Sequence, residues 1–232
     1  MLWYRFWLET RNKVTFVVAW SVFFFALGLY PVASRSGATT DQIVRVFLTQ
    51  TTFIALLAAG MLAGSGVRTQ TFGRAYRGLH GSVHFTLSLP ITRTRLLLTR
   101  TALGLAETIL VVLLVSVAGW ALLGSMRLQA GIGDVIVHAL FIATASIGVA
   151  GMAVLSSTVF DDVVQTWVVA GTTMLLFVFQ QKLPRPVNLI GAMTEGSPLL
   201  TGTVPWAGVL GSIAAGALFV AAAARVVRNQ EF

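Results

Sequence analysis

The sequence predicts an all-α integral membrane protein with six transmembrane helices, and three observations carry that prediction. Hydrophobic residues make up 56% of the chain and charged residues only 10%, against roughly 25% charged in an ordinary soluble domain. Mean hydropathy is +0.83. The apolar residues also gather in six runs that approach the ~20 residues a helix needs to cross a ~30 Å hydrocarbon core. These runs are 14–30, 46–64, 101–124, 135–160, 163–181 and 206–224. None alternates strictly between apolar and polar, so membrane-spanning strands are not expected. Together these features exclude a water-soluble globule and read as one membrane domain over residues 1–232.

Ahead of the first run, residues 1–13 have two faces on a helix. Leu2, Trp3, Phe6 and Trp7 share one; Arg5, Glu9 and Lys13, spaced four apart, share another, where opposite charges can pair. This predicts an amphipathic helix lying on the inner leaflet; the alternative is a cytosolic extension of span one. Val32-Ala33-Ser34 is a passable signal-cleavage site, but an apolar run of 17 residues exceeds a normal signal-peptide core, so run one is read as a retained helix.

Between spans two and three lies a basic interval, 65–100, with Arg68, Arg74, Arg77, Arg93, Arg95 and Arg100 and no Asp or Glu. A polar segment of one sign has to lie outside the bilayer. Span three contains Glu107, the one acid clearly inside a span. A carboxylate at bilayer depth is costly and therefore a functional candidate. A pairing with an arginine, or a packing role, outweighs proton coupling this close to Arg100. His138, at the outer end of span four, reads as an interfacial hydrogen-bonder. Asp161-Asp162 mark a tight turn, with one of them capping the fifth helix.

The segment 182–205 before span six is too short to cross the membrane and too apolar to be freely solvated. It fits either a surface loop with a short helix or a segment that dips partway into the membrane, its backbone shielded by protein. Gly60 and Gly64, and the series Gly208, Ser212 and Gly216, place small residues four apart. In lipid that spacing permits close helix approach.

Orientation follows from the cations. With the N-terminus inside, the inner segments hold Arg5, Arg11, Lys13, the six arginines of the basic interval, Arg225 and Arg228. The outer loops hold only Arg35, Arg45, Arg127, Lys182 and Arg185. The excess puts both termini and the basic interval in the cytoplasm. The net charge of +8 would suggest nucleic acid in a soluble protein, but here the cations flank apolar runs, and no nucleic-acid partner is expected.

Catalytic chemistry finds little support. The chain has no Cys, hence no disulfide and no thiolate. His80 and His84 stand four apart without a third ligand, so no metal is expected. Ser116, Ser146, Thr172 and Thr173 lie in spans without a paired base. No Walker-type phosphate loop occurs, so the chain is not expected to hydrolyse ATP itself. No residue stands out for substrate binding.

One local pattern is more specific. Gly81-Ser82-Val83-His84-Phe85-Thr86-Leu87-Ser88-Leu89-Pro90-Ile91-Thr92-Arg93 resembles a stretch of the type-2 ABC-transporter permease family: a Gly-Thr/Ser pair, an apolar run, Leu-Pro, a small polar residue and Arg, leading into span three. The layout of the whole chain is similar to that family; the motif-level likeness covers about 70–105. The family usually carries acidic residues just before the Gly-Thr pair, where this chain has Arg77-Gly78-Leu79-His80. The resemblance implies a coupling helix over 70–80 that docks on a separate ATPase subunit. Phe72 and Tyr76 would be apolar anchors, Arg74, Arg77 and His80 polar contacts, and Gly81, Leu89, Pro90 and Arg93 the hinge into helix three, since the residue before Pro avoids helical geometry. It also implies a prokaryotic inner-membrane exporter that pairs with a second permease chain, with ATP and magnesium on the partner ATPase. The nearly uncharged spans suit a lipophilic or amphiphilic substrate. The alternatives are an ion-coupled secondary carrier resting on Glu107, and a membrane-embedded lipid-modifying enzyme, for which no acid/base or metal constellation is offered.

Overall fold

A computed structural model describes residues 2–33, 39–64, 92–123, 130–160, 162–179, 182, 184 and 188–229. Among the described residues the chain is all-helical: α1 Leu2–Ala33, α2 Thr40–Ala63, α3 Arg93–Leu122, α4 Ile132–Ala145, α5 Ile147–Val159, α6 Asp162–Phe179, α7 Leu189–Met193, α8 Pro198–Thr201 and α9 Trp206–Asn229. Among the described residues, four stretches are long and apolar enough to cross a membrane: Thr40–Ala63, Thr94–Leu122, Ile132–Val159 and Trp206–Asn229. The third comprises α4 and α5 together. Val164–Phe179, within α6, is apolar but shorter.

The N-terminus corrects one expectation. The interfacial helix expected over residues 1–13 is the first part of α1, not a separate element. No Gly or Pro occurs before Gly28, so nothing interrupts the backbone hydrogen bonds where the polar face gives way to the apolar run. At 1.5 Å per residue the 32-residue helix is about 48 Å long, more than the bilayer core requires.

Helix α2 is the central element, packing on α1, α3, α5 and α6. Its start is fixed by a capping box: Gln42 N–H donates to Thr39 Oγ1 at 3.3 Å, and Thr39 N–H to Gln42 Oε1 at 3.2 Å, which satisfies two otherwise orphaned donors. An exposed Asp41–Arg45 pair at 3.1 Å supports the same turn. Toward its other end α2 is lined with small residues, Ala55, Ala58, Ala59, Gly60 and Ala63, all buried. A Cβ on Gly60 would collide with Val169 of α6, and one on Gly64 with Gln165. Gly104 of α3 lies equally close, its Cβ position being 2.6 Å from Ala63 Cα. The glycines four apart are therefore the seat of α6, close packing of the kind that holds helices together in lipid.

The second small-residue series forms the α5–α9 seam, the most extensive helix contact in the bundle. Gly151 meets Gly216 backbone to backbone, and Gly216 in turn abuts Ile147. Here Ser212 does more than pack. Its Oγ donates to the Ala145 carbonyl and accepts from Gly148 N–H at 2.9 Å. A hydroxyl from another helix is thus inserted into the backbone ladder, one of the recognised causes of a helix break. Span four, expected as one run over 135–160, is accordingly divided at Ser146.

Large apolar side chains face outward, among them Phe16, Trp20 and Phe23 of α1, Trp167 and Met174 of α6, and Leu210 and Leu218 of α9. Contiguous apolar surface on this scale belongs against hydrocarbon or another membrane chain.

Candidate functional site

Besides the Ser212 contact, the described residues bring chemistry-bearing groups together inside the bundle at His138, Glu107 and Gln165, and an apolar pocket lies nearby. The first joins three elements around His138, which is fully buried. Its Nδ1 lies 2.8 Å from Ser197 Oγ, and its Nε2 lies 3.2 Å from Thr51 Oγ1. The Thr51 hydroxyl donates to the backbone carbonyls of Phe47 at 2.9 Å and Leu48 at 3.1 Å. Its single proton is therefore committed, and it accepts from His138 Nε2–H. Ser197 then donates to Nδ1, while its own oxygen accepts from Leu199 N–H at 3.2 Å. Only the neutral Nε2–H tautomer satisfies every member of this chain of bonds. The ring also lies beside Phe47, centroids 6.2 Å apart. His138 is thus not the interfacial residue expected: Ser197, 59 positions later, covers it.

The second contact holds Glu107, which is 3% exposed. Its Oε1 accepts from the hydroxyl of Thr10 on α1. Its Oε2 is buried without a hydrogen-bond partner among the described residues. The expected partner was an arginine; the structure supplies a threonine, because α1 continues past the apolar run and brings Thr10 alongside α3. The contact can lock α1 to α3.

The third contact was not foreseen. Gln165 of α6 is buried, and its Nε2 donates to the Gly60 carbonyl at 2.9 Å. That carbonyl belongs to the last turn of α2, where acceptors lack an intrahelical donor. The one amide side chain within α6 was the available signal. Replacing Gln165 by Leu should lower stability by about 1–3 kcal/mol, since it strands a buried acceptor. A thermal unfolding midpoint several degrees lower, measured in detergent by intrinsic fluorescence, is the expected result.

A pocket of about 350 Å³ opens between α5, α6, α7 and α9 beside the break at Ser146, lined among others by Gly148, Met152, Leu176, Leu189, Gly211 and Phe219. The lining is almost wholly apolar.

Of the remaining candidates, Phe72, Arg74, Tyr76, Arg77, His80, Gly81, Leu89 and Pro90 lie outside the described residues, as do His84 and Asp161. Arg93 opens α3, with Thr92 as N-cap accepting from Arg95 N–H at 3.3 Å. Buried Ser116 and Thr173 have hydroxyls without a hydrogen-bond partner among the described residues, and no base adjoins them. Among the described residues no three His, Asp or Glu side chains converge on a common point. Comparison with family models, with curated proteins and with solved structures finds no match to this chain.

Proposed function

We propose that this chain is the membrane permease subunit of an ATP-binding-cassette exporter. It crosses the membrane six times, α1 and α6 joining the four long apolar stretches. Both termini and the basic interval face the cytoplasm of a prokaryotic cell, and the chain works with a second permease chain and a separate ATPase that carries ATP and magnesium. The observation that carries this reading is the stretch 81–93, which leads directly into α3 and follows a basic, aromatic-containing segment suited to a small protein interface. The lack of any phosphate-binding loop in the sequence fits an energy source on another polypeptide. The apolar pocket, of a size usual for small-ligand sites, and the nearly uncharged spans support a lipophilic or amphiphilic substrate.

The specific rival is an ion-coupled carrier, favoured by the buried Glu107. Intramembrane acids serve such coupling when they lie near the midplane beside broken helices, whereas Glu107 sits on the unbroken α3. Reconstitution with the ATPase partner separates the two, with a fluorescent phospholipid as probe. Flux that requires ATP and survives Glu107→Gln, a change that keeps the acceptor for Thr10, is the expected outcome. Flux without ATP that is lost in Glu107→Gln would establish the carrier instead.

A further inference from the structure

Helices α7 and α8 have five and four residues. Helices that short are not stable alone, so their position is set by what they touch. The α7 end is seated by Ile190 and Met193, both buried, and by Thr52, whose hydroxyl donates to the Met193 carbonyl at 3.4 Å. The α8 end differs. None of its own residues is buried, yet its N-cap, Ser197, is wholly enclosed. The buried side-chain bond that fastens this end is the one from Ser197 to His138. Gly202, the one residue with positive φ (68°) among those described, ends α8 and turns the chain toward α9.

We propose that residues 188–202 form a strap lying against the middle of α2 and the first half of α4, fastened by the Ser197–His138 bond. Breaking that bond lifts the strap and uncovers a polar notch of Thr51, Thr52 and His138. Histidine suits the position because the fastening group must accept from Ser197 and donate to Thr51 at once, which neutral imidazole does with its two nitrogens. The strap also belongs to the wall of the apolar pocket, through Leu189, so lifting it opens that pocket on one side. Among the described residues α8 itself adds the partly buried Leu199 to that bond, and elements with little buried apolar surface of their own open locally without global unfolding. The inference does not depend on the ATP-driven reading: it concerns how this notch is covered, whatever energises transport.

The natural absence of cysteine makes the test direct. Thr52→Cys places a thiol of nearly the same size in the notch beneath the strap in the full chain, reconstituted in lipid nanodiscs and exposed to a membrane-impermeant maleimide. With Ser197 and His138 intact, labelling should be slow. Adding Ser197→Ala or His138→Phe should raise its rate about tenfold, the factor by which loss of one ordinary hydrogen bond shifts a local opening equilibrium. His138→Gln, which can still accept and donate, should fall between. Ala150→Cys in the α5–α9 seam serves as the unfolding control and should stay unreactive throughout. Fast labelling of Thr52→Cys in the otherwise unaltered chain, an unchanged rate in both bond-breaking variants, or an equal rise at position 150 would each overturn the proposal.

Discussion

Replacing Gly151 by leucine is expected to prevent the chain from accumulating as a folded bundle, while Gly171→Ala leaves it intact. A Cβ on Gly151 would lie 2.6 Å from the Gly216 carbonyl oxygen and 2.7 Å from Gly216 Cα. Both obstacles are backbone, so no rotamer change relieves them and α9 has to move away from α5. One inserted methyl in a tight core already costs about 1–3 kcal/mol, and Gly151→Ala should fall in that range. The three further carbons of leucine separate the helices outright. In lipid no hydrophobic force draws the helices back together, so association depends on close packing and interhelical hydrogen bonds. Separation would also withdraw Ser212 from Ala145 and Gly148 and leave the break at Ser146 unbridged. Gly171, inside α6, has nothing within 4 Å of its Cβ position, and alanine is the better helix former by about 0.8–1.0 kcal/mol. Fluorescence-detected size exclusion and thermal melts of the three variants check the ranking: 171 unchanged or slightly raised, Gly151→Ala lowered, Gly151→Leu absent from the monodisperse peak.

Changing Phe72 and Tyr76 together to alanine should abolish capture of the ATPase subunit without reducing expression or folding of this chain. On the proposed coupling helix, positions four apart share one face. Truncating an aromatic anchor at a small interface typically costs 2 kcal/mol or more, about thirtyfold in affinity for each. The loss of both would dissolve a micromolar complex. Arg74→Ala and Arg77→Ala should weaken capture less, and by an amount that shrinks as salt rises, because charges at an interface rim act mainly through long-range attraction. Equal capture by the double-alanine chain would remove the coupling role from 70–80.

Much of the architecture could be read from hydropathy. The runs 46–64, 163–181 and 206–224 correspond to α2, α6 and α9, since an apolar run of bilayer length has few other stable forms. The helix ends were less legible. Hydropathy marks where hydrocarbon begins and not where hydrogen bonding stops, so α1, α2 and α3 all begin before their apolar runs. The spacing of Gly208, Ser212 and Gly216 announced a close contact but could not name α5 as its partner. Nor could it show that the Ser212 hydroxyl divides span four, because that depends on meeting Gly148, 64 positions away. His138 was misjudged for the same reason: its surroundings come from α2 and from the turn before α8, which no local pattern links to it. Glu107 was recognised as an acid inside a span, though near enough to the interface to expect partial hydration; its burial and its neighbour Thr10 became legible only once α1 proved continuous.

What purifies with this chain decides whether it works with an ATPase. Tagged at one end and extracted from its native membrane in a mild detergent, it should elute with an ATPase bearing Walker-type phosphate loops. The two should be in equal proportion, and the complex should hydrolyse ATP in a way that depends on Phe72 and Tyr76. Elution of the folded chain without any nucleotide-binding partner, while the same membranes still move substrate without ATP, would contradict the account.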